Sequence, residues 1–236
     1  MSEPMFHAPE MRWGDHQLSL DEETARHAVQ VLRMKTGDRL VLTNGKGLRA
    51  EAEIVSAGKK TCTVGIVGQM QDPLPGNEVI IAISPLKNAA RFEWFLEKAA
   101  ELGIRRVVPL ICSRTERQHF RGERWQNILV SAMLQSRQSW VTELTEPVAF
   151  DAFIRSAKAS SLFVAHCIPG EKEPLPFLGW TGSALVLIGP EGDFTDAEVA
   201  QALGSGYRAV SLGDTRLRTE TAGITAAVLL THRSQK

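Results

Sequence analysis

Three cysteines in 236 residues, none at CxxC spacing, leave no disulfide framework and no cysteine zinc site to read. Cys62, Cys112 and Cys167 read as the reduced thiols of a cytoplasmic protein, and no metal is expected. An excess of either charge is also lacking. The 27 Lys and Arg residues offset 27 Asp and Glu, so bulk charge does not announce a nucleic-acid binder, although a local basic patch is enough for one. No run of about 18 uninterrupted apolar residues exists, which argues against a membrane-spanning helix. The opening Met-Ser-Glu-Pro lacks the basic and apolar stretches of a signal peptide. There is no internal repeat, no GxGxxG fingerprint and no P-loop, which argues against a nucleotide-dependent oxidoreductase.

What is present divides into two patterns. Residues 1–72 read as a small β-barrel with one helix. Ser19-Leu20-Asp21-Glu22 fits a capping box, and Ala25, Val29 and Leu32 follow at helical spacing. Arg39 to Thr43 reads as a strand, Asn44-Gly45-Lys46-Gly47 as a tight turn, and Leu48 to Ser56 and Thr61 to Val67 as further strands. Residues 71–77, with two prolines and a glycine, mark a linker, and 73–236 form the second domain. There, apolar strands (Val79 to Ile83, Arg106 to Cys112, Ser161 to His166, Ala184 to Ile188, Arg208 to Leu212) alternate with helices (Asn88 to Leu102, Glu123 to Ser136, Phe150 to Ala157, Glu220 to His232). That alternation predicts an α/β fold with a parallel sheet covered on both faces.

Ligands bind beyond the carboxyl ends of parallel strands, and two such ends are unusual here. One strand runs into Gly189-Pro190-Glu191-Gly192-Asp193-Phe194, with Thr195-Asp196-Ala197-Glu198 opening a helix as a capping box. The other runs into Leu212-Gly213-Asp214-Thr215-Arg216-Leu217-Arg218 and then Thr219-Glu220-Thr221-Ala222. Taken singly, each also reads as an ordinary strand-to-helix turn, with Thr219 as an N-cap and Glu220 as a first-turn carboxylate.

Taken together, in this order, the two loops resemble the signature of SPOUT methyltransferases of the RsmE type. His27 to Asp38 (HAVQVLRMKTGD), Ala52-Glu53-Ile54 with Lys59-Lys60, and Lys98-Ala99-Ala100-Glu101-Leu102-Gly103 with Pro109 resemble further stretches of that family, so the likeness covers nearly the whole chain. Two positions and one segment depart from its pattern. Asp193 stands where many members have glycine, Met5 rather than arginine precedes Phe6, and Leu134 to Gln138 replaces a Glu-Gln-Ser-Gly-Arg segment.

The resemblance implies a PUA-like RNA-binding N-terminal domain and a C-terminal domain tied in a deep trefoil knot. It implies a homodimer acting on 16S ribosomal RNA in the small subunit, with S-adenosylmethionine as cofactor and N3 of a uridine as acceptor. The donor site would comprise Leu187, Ile188, Gly189, Pro190, Glu191, Gly192, Leu212, Gly213, Leu217, Arg218, Thr221 and Ala222. Arg218 would stabilise the uridine anion or bind phosphate, and Glu220 would orient Arg218 or accept the N3 proton. Arg33, Lys35, Lys59, Lys60, Arg114, Arg117, Arg121 and Arg124 are the candidate RNA contacts, with Glu116 and Glu123 diluting the last four. Ribose 2′-O methylation, or a non-catalytic RNA-binding or ribosome-assembly role, stands as the alternative.

Overall fold

The computed structural model describes residues 3–116 and 119–232, and the chain separates into two compact units. The first comprises Met1–Leu74 with Met133–Val141, and the second Pro75–Ala132 with Thr142–Lys236.

In the first unit, β1 (Met5–His7), β2 (Gln17–Leu20), β3 (Arg39–Thr43), β4 (Leu48–Ala57) and β5 (Cys62–Gln71) form one sheet in the order β1-β3-β4-β5-β2. Alternation sets its faces: Leu48, Ala50, Ala52 and Ile54 of β4 are buried while Glu51, Glu53 and Val55 face outward. With Phe6, Met11, Leu40, Leu42 and Val64 they form the core. The expected turn between β3 and β4 is present. Asn44 Oδ1 accepts from the N–H groups of Lys46 and Leu48, and Gly45 and Gly47 have φ of 71° and 87°. Glycine is required at position 47, where a Cβ would sit 2.4 Å from the Trp140 ring. That contact seats Met133–Val141 on the turn, helped by hydrogen bonds from Gly47 N–H to Ser139 O and from Val141 N–H to Gly45 O.

The first helix differs from its expectation. Ser19 and Leu20 are drawn into β2 by pairing with Thr63 and Cys62, so the N-cap falls on Asp21, which accepts from the Thr24 N–H and hydroxyl. The α-helix α1 (Glu22–Arg26) passes directly into a wider π-helical turn, His27–Val31.

In the second unit the strands are β6 (Glu78–Ile83), β7 (Arg106–Ile111), β8 (Glu143–Leu144), β9 (Val148–Ala149), β10 (Ser161–Ala165), β11 (Glu173–Pro174), β12 (Ser183–Ile188) and β13 (Arg208–Ser211). Their order is β11-β13-β10-β12-β6-β7-β8, with β9 also beside β7, and every pairing is parallel. The expected two-sided burial is met: residues 79–83 and 184–188 of the two central strands are buried throughout.

The helices are α2 (Ala89–Glu101), α3 (Gly122–Gln135), α4 (Phe150–Ser156), α5 (Asp196–Gly204) and α6 (Thr219–Thr231). Asn88 caps α2 by accepting from the Ala90 N–H, and Gly103 follows its end at φ 76°. Phe92 of α2 packs on Trp125 of α3 with ring centroids 4.6 Å apart. One sheet face carries a core of Ile80, Ala82, Leu110, Val164, Leu185, Leu187, Phe194 and Val199. Helix α6 packs against α2, β6 and β12, and Gly223 permits the approach: a Cβ there would lie 2.7 Å from the Phe95 ring and 2.9 Å from Ile83.

Candidate functional site

The carboxyl ends of β10, β12 and β13 open together onto a cavity of about 770 Å³ in the second unit. Both glycine-marked loops line it. Ile188, Gly189, Pro190, Glu191 and Asp193 come from the end of β12; Leu212, Gly213, Asp214, Thr215, Arg216, Leu217 and Arg218 follow β13; Thr219, Glu220 and Ala222 come from the first turn of α6. Of the other expected donor-site positions, Leu187 is in the core under the loop, Gly192 lies against the Arg114 side chain, and Thr221 is exposed on α6.

The loop after β12 is held from several directions. Gly189 faces the Phe194 ring, which an added Cβ would meet at 3.1 Å, so the chain folds tightly back on itself. Phe194 is buried against Phe150. Asp193 has φ 64°, the left-handed conformation that favours glycine and that Asp and Asn adopt best among other residues. Its carboxylate fixes that conformation by accepting from the Phe194 N–H at 2.8 Å and the Cys167 N–H at 2.7 Å. The departure at position 193 thus has a structural meaning: the side chain bonds neighbouring backbone in a place where glycine supplies only freedom.

Arg114 Nη1 donates to Gly192 O at 2.7 Å and Phe194 O at 3.3 Å. The capping box at Thr195 and Glu198 forms as its spacing predicts. Glu198 reaches further, accepting from the Ser113 N–H at 2.7 Å. Burial alone pushes its carboxyl up, but the hydrogen bonds from Thr195 and Ser113 together hold it below the usual carboxylate range.

The loop after β13 is built differently. Among the described residues, no side chain of residues 213–218 makes a hydrogen bond or ion pair. Arg218 occupies the N-cap of α6 with extended backbone and no side-chain cap, so the free N–H groups of the first turn face the cavity. Glu220, in that turn, is buried at 7% exposure. Its Oε1 lies 3.8 Å from Arg91 Nε of α2, and its Oε2 has no partner. The ion pair that Glu220 makes is therefore with Arg91, a residue the motif reading does not reach because it lies on another helix.

A second group outside the motifs is His166, immediately after β10. It lines the cavity with Ala165, Cys167 and Lys172, and neither ring nitrogen has a hydrogen-bond partner. Its position at a strand end was legible; its burial was not.

The candidate RNA-contacting residues fall in both units and are described within each. In the first, Arg33 is exposed at φ 57°, and Lys35 and Lys59 are exposed. Lys60 pairs with Glu22 at 2.9 Å, an exposed ion pair of small stabilising value. In the second, Arg114 is engaged with the β12 loop as above, Arg124 forms a two-pronged pair with Glu93 at 2.6 and 2.7 Å, and Arg121 lies 3.9 Å from the same carboxylate. Arg117 lies outside the described residues. Among the described residues, no cluster of three or more His, Cys, Asp or Glu side chains is placed to hold a metal, and no helix is long and apolar enough to cross a membrane.

Residues 72–231 match the RNA methyltransferase domain family, and residues 20–67 match the RNA methyltransferase PUA domain family. A probable rRNA-methyltransferase from Porphyromonas gingivalis is 38% identical, with a TM-score of 0.88 over 95% of each chain. The chain belongs to the RsmE-type family of small-subunit ribosomal RNA methyltransferases. The structure of a ribosomal RNA small subunit methyltransferase E from Neisseria gonorrhoeae bound to S-adenosyl methionine is 27% identical, with a TM-score of 0.84 over 96% of both chains. The curated RsmE-type relative from Synechocystis is 29% identical over 82% of this chain, and the match spans 65% of that relative's own length. The parallel-sheet α/β fold and the N-terminal PUA-like domain are those of the RsmE type.

Proposed function

We propose that this chain transfers a methyl group from S-adenosylmethionine to N3 of a uridine in the 16S RNA of the small ribosomal subunit. One observation carries the reading: both glycine-marked strand ends meet at one cavity, beside a buried carboxylate, Glu220, whose second oxygen has no protein partner. A buried acceptor left unpaired is costly, and a ligand donor would satisfy it. The cavity volume suits a cofactor-sized molecule, and the RsmE-type structure from Neisseria gonorrhoeae is bound to this donor.

When bound, S-adenosylmethionine supplies a methyl group already activated on a sulfonium, so the protein's task is alignment and proton management. The backbone of Ile188, Gly189, Pro190, Glu191 and Gly192, with Leu212, Gly213 and Leu217, would enclose the donor over Leu187, and Thr221 and Ala222 would close the helix end. Uridine N3 carries a proton and attacks only once that proton has gone. Glu220 Oε2 would take it, with Arg91 Nε 3.8 Å from Oε1 on the other side of the carboxylate. Arg218 would face the anion that develops over O2 and O4.

Arg33, Lys35, Lys59 and Lys60 on one unit, and Arg114, Arg117, Arg121 and Arg124 on the other, would contribute RNA phosphate contacts. The ion pairs at Lys60, Arg121 and Arg124 would be exchanged on binding. The same reading includes a deep trefoil knot in this unit, whose last helix, α6, packs on β6, β12 and α2. Homodimerisation fits α6 as well. Its sequence is apolar on almost every side, yet Val228 stands 39% exposed, and a helix of that kind is normally covered all round. Ribosomal subunits locate this activity in the cytoplasm.

The test is methylation, with tritiated donor, of small subunits lacking the modification, followed by nucleoside mass spectrometry and mapping. The expected product is 3-methyluridine at one site. A 2′-O-methyl nucleoside, or no incorporation at all, would overturn the proposal.

A further inference from the structure

We propose that Arg12 and Trp13 grip one unpaired nucleotide of the ribosomal RNA substrate, the base stacked on the Trp13 ring and a phosphate on the Arg12 guanidinium. The inference rests on ribosomal RNA as the substrate and not on which of its atoms is methylated. Both residues lie outside the stretch, 20–67, that matches the RNA methyltransferase PUA domain family.

The five tryptophans are treated unequally by the fold. Trp125 is buried, Trp140 donates its Nε1 to the Pro73 carbonyl, and the Trp180 nitrogen is enclosed. Trp13 is the most exposed, at 66%, against 45% for Trp94 on α2. It stands in the loop between β1 and β2 of the first unit. An indole is a large apolar plate, and folded chains cover most of it. A lone apolar side chain in solvent is ordinary where the backbone carrying it is loose. Here the backbone is tied down.

Arg12 to Asp15 form a tight turn, closed by the Asp15 N–H donating to the Arg12 carbonyl at 3.3 Å. Gly14 takes the third position at φ 89°, the left-handed conformation that a type II turn requires there. The Asp15 carboxylate accepts from the Arg12 N–H at 2.7 Å. The Gln69 amide of β5 then clamps the turn from the sheet. Its Oε1 accepts from the Gly14 N–H at 2.7 Å, and its Nε2 donates to the Arg12 carbonyl at 2.9 Å. Just beyond the turn, the His16 carbonyl accepts from the Ile66 N–H. All of this fixing falls on backbone, and it leaves the Trp13 ring outside. A ring on a prebuilt turn loses little freedom when something stacks on it.

Charge identifies what would stack. Arg12 is exposed, and among the described residues its guanidinium makes no hydrogen bond or ion pair. Lys60 in the same unit is paired with Glu22, whereas the carboxylate nearest Arg12 in sequence, Asp15, is folded back onto the Arg12 N–H. An apolar plate beside an uncommitted planar cation matches a nucleotide, which offers a flat π-face and an anion a few ångströms apart. An apolar protein surface would cover the ring and leave the guanidinium facing no anion.

The experiment measures binding of the full chain to small ribosomal subunits lacking the modification, for wild type, Trp13→Ala, Trp13→Leu, Trp13→Phe and Arg12→Ala. Loss of one stacked base should weaken binding by roughly 5- to 150-fold in Trp13→Ala. Trp13→Leu, apolar but without a π-face, should be as weak, and Trp13→Phe should recover part of the loss. Arg12→Ala should lower the slope of log affinity against log salt by about 0.7–0.9, the share of one phosphate. A single-stranded oligouridylate, titrated into wild type and into Trp13→Phe, should quench the emission that distinguishes the two. Calorimetry with S-adenosylmethionine should give one donor affinity for all five proteins. Wild-type affinity in Trp13→Ala would overturn the proposal. So would full affinity in Trp13→Leu, which would make the contact an apolar one with a ribosomal protein, and so would an unchanged salt slope in Arg12→Ala. If wild type itself binds neither subunits nor oligouridylate, the RNA reading fails as a whole, a result distinct from any difference among the variants.

Discussion

The two strand-end loops that form the cavity are built on opposite plans. The loop after β12 is braced by Arg114, by the Asp193 carboxylate, by the buried Phe194 ring and by the Thr195–Glu198 box. The loop after β13 has no such side-chain support among the described residues, and it ends on an uncapped helix whose first turn holds a half-satisfied carboxylate. The difference teaches that sequence motifs of equal clarity can do unequal work. One is a finished wall whose shape exists without ligand; the other keeps its donors and charges free for what enters. Substitutions in the first loop should therefore register in stability, and substitutions in the second in turnover.

Arg218→Ala gives the largest expected separation. Removing a cation that faces developing negative charge should lower methyl transfer by roughly 100- to 1000-fold, with the melting temperature unchanged and donor affinity largely kept. Single-turnover assays beside calorimetry check it, and wild-type turnover in the variant would erase the contrast between the loops. Gly223→Leu comes next. Its side chain would drive into Phe95 and Ile83, lifting α6 from the sheet at a cost of about 1–3 kcal/mol or more. Urea unfolding measures that cost, and no loss would mean that α6 does not need this approach.

Arg114→Ala tests the bracing directly. Two carbonyls in the β12 loop would lose their donor, costing about 0.5–1.5 kcal/mol because the Gly192 bond is exposed, and donor affinity should fall with stability rather than independently of it. Glu198→Gln sharpens the same point by pH. The folded carboxyl sits below its usual range, so its stabilising contribution is complete above the unfolded pKa of about 4.3 and is lost as the pH falls through the lower folded value. Wild type should lose stability on acidification over that window, while the variant, weaker at pH 7, should lose less. Parallel unfolding midpoints from pH 7 to pH 3 would remove Glu198 from the bracing. The smallest effect is expected at Asp193→Gly, where lost side-chain bonds and a relaxed backbone oppose one another. Unfolding should change by less than about 1 kcal/mol, whereas Asp193→Ala, keeping the strain and losing the bonds, should cost more.

Much of this molecule was legible as pattern. The central strands announce themselves by unbroken apolar runs, α2 by Asn88 and Gly103, and α5 by Thr195 and Glu198, because each of those signals is local in the chain. What escaped is what depends on distant segments meeting. Ser19 looks like a cap until Thr63 and Cys62 draw Ser19 and Leu20 into a strand. Nothing local in the α2 sequence marks Arg91, and only the folded chain brings Glu220 of α6 to it. Arg114 reads as a phosphate contact, and only the folded chain puts it against the carbonyls of Gly192 and Phe194. His166 reads as the tail of a strand, and its unpaired nitrogens are visible only in three dimensions.

The guanidinium of Arg114 has one more implication, for anyone who would move this site elsewhere. Gly189 to Phe194 is a compact hexapeptide that invites grafting onto another parallel-sheet scaffold. Its shape, however, is maintained by Arg114 and by the Ser113 N–H that engages Glu198, both borrowed from the end of β7. A transplant of the hexapeptide alone would carry the recognisable letters and leave behind the parts that hold them in form. The smallest portable version of this loop is two separated pieces of chain.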